Sequence, residues 1–199
     1  MSQITIDGEA GQMEGMMNLR GNGEWGAVLC HPHPLYGGTM EDGVLAVLDG
    51  ALAGSDVTTL RFNFRGVGDS KGAFDDGRGE AEDVISAVNW LTTNQPVDRL
   101  ILCGYSFGAV MALRAVAKLP TCDAVILVAP PVQMMRRPPP FDGPMLVILG
   151  EEDNIVDATE VARFFAPRGA IETLPGTDHF FFGASQAILR SVGAFMKSL

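Results

Sequence analysis

Five largely apolar blocks constrain the fold more than any other feature of the chain: GAVLCH (26–31), VTTLRFNF (57–64), RLILCGY (99–105), DAVILVAP (123–130) and PMLVILG (144–150). A strand that is apolar along its whole length, not at alternate positions, is covered on both faces. Helical spacing of apolar residues marks the stretches between most of them: 40–53, 78–94 and 107–119. After the fifth block come a helical pattern at 157–166, a weaker strand AIETLP (170–175) and a final helix over 184–199. ITID and MEGMMNLRG form a short strand pair ahead of all this. Strands alternating with helices predict an α/β architecture, a mostly parallel central sheet with helices on both faces. One connection breaks the pattern. Residues 130–144, PPVQMMRRPPPFDGP, are too rich in proline for a helix or a central strand.

The 199 residues suit a single α/β domain over 1–199, large enough to hold a core without disulfides or metal. A net charge of −10 repels a phosphate backbone, which argues against a nucleic-acid partner. The three cysteines, Cys30, Cys103 and Cys122, lack the spacing of a zinc site, and two fall inside expected strands. They read as small apolar residues in a reducing compartment. MSQITIDGEAGQ carries neither the basic nor the apolar region of a secretory signal, and no apolar run reaches membrane-spanning length. The expected location is therefore cytoplasmic, with no membrane contact. Nothing in the sequence bears on oligomeric state.

At the end of the third block the chain reads Gly104-Tyr105-Ser106-Phe107-Gly108 and enters an amphipathic helix. A hydroxyl at a sharp strand-to-helix turn, flanked by glycines, is the pattern of a nucleophile elbow. The glycines are needed because strand and helix backbones crowd there. The helix start directs its amides at the reaction centre, favouring a developing oxyanion. The plainer reading is Ser106 as a helix cap. The setting, apolar strand before and helix after, favours the elbow.

A serine nucleophile needs a base, and only three histidines exist: His31, His33 and His179. Only His179 lies downstream, in the loop between the last strand and the last helix. A loop at the carboxyl end of a strand is where sites form in open α/β sheets. The base in turn needs a carboxylate to orient it. GEEDNIVD (150–157) offers Glu151, Glu152, Asp153 and Asp157. Asp153 is the choice, far enough past the strand to turn back over the sheet edge. Asp157 fits a helix cap better, and Asp178, adjacent to His179, would point away from it. The second oxyanion amide, beside that of Phe107, falls to the loop LCHPHPLYGGTM (29–40). Pro32 and Pro34 have no N–H, which leaves His33, Leu35 or Tyr36.

Taken together, HPHPLYGGTM, LRFNFRGVGDSKGAFD, GYSFGA, GEEDNIVD and LPGTDHFF resemble a family of small, lidless bacterial α/β-hydrolases. These are related to dienelactone-hydrolase-like and carboxylesterase-type enzymes. The similarity runs from about residue 25 to the C-terminus. It implies an α/β-hydrolase fold without a cap domain. It also implies Ser106 as nucleophile, Asp153 as acid, His179 as base, and Phe107 with the 33–36 loop as oxyanion donors. The expected reaction is hydrolysis of a small-molecule ester or thioester through an acyl-enzyme, with no cofactor. A dienelactone-type or carbon–carbon hydrolase would use the same residues. A hydrolase-fold binding protein would have no need of all three.

Other motifs read more plainly. HPHP has a metal-ligand spacing but too few further ligands, so His31 is expected to anchor its loop. RRPPPF (136–141) reads as a stiff polyproline connector; the alternative places Arg136 and Arg137 at the rim, attracting a carboxylate or phosphate on the substrate. Asp69 and Ser70 read as turn residues, and Phe180, Phe181 and Phe182 as core and rim packing.

Overall fold

A computed structural model describes residues 1–21, 23–135, 137, 140–166 and 168–199. In chain order the elements are β1 (Ser2–Gly8), β2 (Gly11–Asn18), β3 (Trp25–Cys30), α1 (Gly43–Ala53), β4 (Thr58–Phe62), α2 (Gly79–Asn94) and β5 (Arg99–Tyr105). Then follow α3 (Phe107–Val116), β6 (Ala124–Val128), β7 (Met145–Gly150), α4 (Ala158–Phe165), β8 (Ala170–Leu174) and α5 (Ser185–Met196). Short 3₁₀ turns occupy Pro34–Tyr36 and Val132–Met134. The second is the only helical turn among the described residues of the proline-rich connection, and no cap domain interrupts the sheet there.

One sheet runs β1-β2-β4-β3-β5-β6-β7-β8. The β1–β2 and β2–β4 pairs are antiparallel; the pairs from β4 through to β8 are parallel. Successive side chains on a strand point to opposite faces, and the two cores follow that rule. Leu100 and Leu102 pack with α2, α3 and α4 on one face; Ile101, Cys103 and Tyr105 pack with α1 and α5 on the other. β5, at the centre, is buried from Leu100 to Tyr105. The block pattern predicted this mostly parallel α/β sheet, and the arrangement is the α/β-hydrolase fold that the family resemblance implied. Among the described residues, no helix is long and apolar enough to cross a membrane.

The expected element limits shift at a few points, each for a local reason. The first helix begins at Gly43 and not at residue 40, because Asp42 caps it by accepting from the amides of Val44 and Leu45. Met40 instead belongs to the preceding loop, where Asn63 Oδ1 accepts its N–H at 2.7 Å and Arg61 donates to its carbonyl at 3.1 Å. α3 stops at Val116, three residues early, and closes in a turn through Lys118 and Leu119. The RGVGDS segment is a scaffold. Arg65 forms a buried ion pair with Asp83 at 2.7 Å, and Ser70 donates to Asn63 O while accepting from the Glu14 amide.

Register brings the strand ends to a common edge. Cys30 faces Gly104, Tyr105 faces Val128, Val128 faces Ile148, and Gly150 faces Leu174. The loops after β3, β5, β6, β7 and β8 therefore emerge side by side.

Candidate active site

Ser106 sits at φ 53°, ψ −118°, a left-handed backbone that a side chain adopts only under compulsion. The compulsion is crowding. A Cβ on Gly108 would lie 2.1 Å from the carbonyl oxygen of Cys30, and one on Gly104 would lie 2.4 Å from that of Gly108. The start of α3 thus presses directly on the ends of β3 and β5, which only glycine permits. Ser106 N–H donates to Val128 O at 2.8 Å, tying the turn to the neighbouring strand. Ser106 occupies the cap position of α3, yet its hydroxyl makes no capping bond.

That hydroxyl lies 3.1 Å from Nε2 of His179, whose Nδ1 lies 2.7 Å from Oδ2 of Asp153. The carboxylate can only accept, so Nδ1 carries the ring proton and Nε2 presents a lone pair to the serine O–H. Oδ1 of Asp153 accepts from the amides of Ile155 and Val156, both at 2.8 Å. Burial pushes the Asp153 carboxyl up. The His179 contact and the two amides outweigh it and hold the group below its ordinary range. The three residues come from loops after three strands, and main-chain contacts join the last two loops. Glu152 N–H donates to Thr177 O at 2.9 Å, and a Cβ on Gly150 would lie 2.4 Å from the same oxygen.

The other acids of the expected set are occupied elsewhere. Asp157 caps α4 through the amides of Thr159 and Glu160. Glu151 accepts from Gly176 N–H, and Asp178 accepts from Phe180 N–H. Glu152 is exposed.

Of the candidate amides in the loop after β3, two are spent within it. Leu35 N–H donates to His33 Nδ1 and Tyr36 N–H to His33 O. The amides of His33 and Phe107 have no hydrogen-bond partner among the described residues, and the two side-chain rings lie 4.8 Å apart. The loop is held from beneath by His31, fully buried. Phe64 N–H donates to its Nε2 at 3.1 Å, and its Nδ1 donates to Pro32 O at 2.7 Å. Burial pushes this imidazole down to about 4, so it is neutral.

A cavity of about 580 Å³ opens over Ser106, walled by Pro32, His33, Tyr105, Phe107, Pro131 and Met134 among others. Tyr36, Ile155 and Phe180, each more than half exposed, stand at its mouth. Phe182 is exposed outside it, and Phe181 is buried in the core. Arg136 lies outside the described residues. Arg137 is exposed and lines a neighbouring cleft of about 830 Å³, not the serine cavity. No described arginine or lysine lines the serine cavity, so the cationic rim of the alternative reading is not found among the described residues.

Two residues of the site escape sequence reasoning. Tyr105 donates its hydroxyl to the carbonyl of His179 at 2.8 Å, pinning the histidine loop to β5. Its place as the last residue of β5, directly before Ser106, was the available signal, since alternate strand residues share a face. The second is Asp42, whose carboxylate caps α1 and which is also one of the residues lining the serine cavity. Nothing in its local sequence distinguishes the second role from the first.

The family model described as serine aminopeptidase, S33, matches residues 35–143. An uncharacterised protein of Rickettsia prowazekii is 32% identical over 216 aligned positions, covering all of this chain and 90% of the relative. Among solved structures, an α/β serine hydrolase homologue from Coxiella burnetii superposes with a TM-score of 0.90 at 32% identity, covering 97% of this chain and 96% of that one. A lidless α/β serine hydrolase from Xanthomonas campestris gives 0.90 at 32%, covering 99% and 94%. On a family model spanning more than half its length and relatives spanning nearly all of it, the chain belongs to the α/β serine hydrolases, in the family described as serine aminopeptidase, S33.

Proposed function

We propose that the protein hydrolyses a small-molecule ester or thioester through a Ser106–His179–Asp153 triad, as a single domain and without a cofactor. The observation that carries this reading is the continuous contact from Ser106 Oγ through the His179 ring to Asp153, at 3.1 and 2.7 Å, built on a strained turn. His179 Nε2 takes the hydroxyl proton as Oγ attacks the carbonyl carbon. The carbonyl π bond opens, and its oxygen becomes an oxyanion facing the free amides of Phe107 and His33. Each such donor is worth about 3 kcal/mol in comparable sites. Asp153 steadies the imidazolium. Collapse of the tetrahedral species expels the alcohol or thiol, which receives the proton from Nε2. Water, deprotonated by the same nitrogen, then attacks the acyl-enzyme and releases the acid and free Ser106. The absence of a disulfide at Cys30, Cys103 and Cys122 supports a reducing compartment such as the cytoplasm.

The test is hydrolysis of p-nitrophenyl esters, acetate through octanoate, with fluorophosphonate labelling, in wild type and Ser106→Ala. Turnover and labelling that both vanish in the variant are expected. Labelling that persists in the variant moves the nucleophile elsewhere. No labelling of folded wild-type protein favours a binding protein.

A further inference from the structure

The walls of the serine cavity are apolar or aromatic except at a few points, and among its described lining residues the aspartate Asp42 is the one acid and no arginine or lysine appears. Asp42 uses Oδ1 for both capping bonds, to Val44 N–H at 2.8 Å and Leu45 N–H at 3.4 Å. Oδ2 makes no hydrogen bond among the described residues. The carboxylate is half-buried, so water screens it less than a surface charge. Tyr36, Ile155 and Phe180 continue the apolar wall outward past the mouth, at 87%, 55% and 56% exposure. A chain longer than the cavity would lie on them.

We propose that Asp42 is a specificity residue of this site. It makes the cavity selective for substrates whose chain is uncharged and apolar, and it excludes those bearing a carboxylate or phosphate on that chain. An uncharged chain meets apolar walls and buries surface. An anionic end group meets a fixed carboxylate and no described cation to offset it, a repulsive element that discriminates by penalising the wrong substrate. The inference rests on Ser106 being the nucleophile.

The experiment measures the rate at which fluorophosphonates label Ser106 at about pH 8, well above the ordinary carboxylate range, so that Asp42, pushed up by burial, is compared in its charged form. Two probes of equal length are compared, one ending in a methyl group and one in a carboxylate, in wild type and Asp42→Asn. Asparagine caps a helix as well as aspartate does, so the variant keeps α1. Wild type should label at least ~10-fold faster with the methyl probe. The ratio should fall at least ~5-fold in Asp42→Asn. The methyl series should also label faster from ethyl to octyl. A ratio near one in wild type overturns the inference. A large ratio that Asp42→Asn leaves unchanged also overturns it, assigning the effect to the whole protein's charge. Failure of every probe to label removes the nucleophile and the inference with it, whereas labelling without discrimination removes the inference alone.

Discussion

Met134 stands in the walls of two clefts. On one side is the serine cavity, about 580 Å³ and mostly apolar; on the other is a space of about 830 Å³ lined by Arg65, Arg78, Arg114, Lys118 and several acids. Size and charge would single out the second. Four of its five described cations, however, are already engaged in holding the fold. Arg65 pairs with Asp83, Arg78 with Asp75 and Lys118 with Glu82, while Arg114 donates to the carbonyls of Gly77 and Met134. In the smaller cavity two amides, those of His33 and Phe107, have no acceptor among the described residues, and the serine hydroxyl on its strained turn is held by the His179 ring alone. Reactivity follows unspent hydrogen-bonding capacity held in place, not volume.

The sharpest way to break this contrast is one substitution in each cleft. Ser106→Ala should lower kcat by about 10⁴–10⁶-fold, while Arg137→Ala, in the larger cleft, should leave kcat/KM for neutral esters within about twofold. Comparable losses in both would place the chemistry elsewhere. Next in size is the acid. Asp153→Asn should cost on the order of 10³–10⁴-fold in kcat, because an amide donating to the ring would favour the wrong tautomer. Asp157→Asn, which keeps a competent cap on α4, should do almost nothing. The reverse result reassigns the acid.

A smaller effect concerns stability. His31 is pushed by burial from an ordinary 6.5 to about 4, the carbonyl of Pro32 pulling weakly against it. The unfolded chain therefore binds this proton first as the pH falls. Its contribution to stability is complete above 6.5 and is lost progressively down to about 4, on the order of 3 kcal/mol in total. Urea midpoints compared at about pH 7 and pH 4.5 should show the loss. In His31→Gln the pH dependence should flatten, whatever its starting stability. An unchanged slope would mean other groups dominate. Smallest is Tyr105→Phe. Removing the bond to His179 O should lower stability by about 1 kcal/mol. It should also reduce kcat more than KM, since the loop that loosens carries the proposed base, while its Phe180 stands only at the mouth of the cavity.

How much of this the sequence announced depends on how local each feature is. The central strands were plain because a parallel strand needs apolar residues along its whole length. GYSFG was plain because crowding at one turn demands two glycines four residues apart. Asp153 was chosen because it lies far enough past β7 to turn back over the sheet edge, and its carboxylate does stand 2.7 Å from His179 Nδ1. Arg61, Asn63 and Tyr105 were not assigned roles. They act across separations of 21, 23 and 74 residues, through bonds to backbone atoms that no side-chain pattern records. A partial signal existed. Arg61 stands inside an apolar strand, and an arginine only 4% exposed must have partners. The alternative of a cationic rim is unmet at Arg137, which lines the larger cleft, while Arg136 lies outside the described residues. Sequence proximity to the cavity wall does not fix which side of Met134 a long side chain takes.

The histidine loop is fastened by groups other than the imidazole: Tyr105 holds the carbonyl of His179, Glu152 that of Thr177, Phe181 N–H that of Asp178, and the Phe181 side chain is buried in the core. The ring itself contributes only its contacts to Ser106, Asp153 and the adjacent aromatic side chains. Taking the ring away would leave the loop standing as a socket, with a carboxylate at its base and the serine across the gap. Such a hole has the outline of one small heterocycle. The proposed base is in that sense a replaceable part, and free imidazole is the part that would fit.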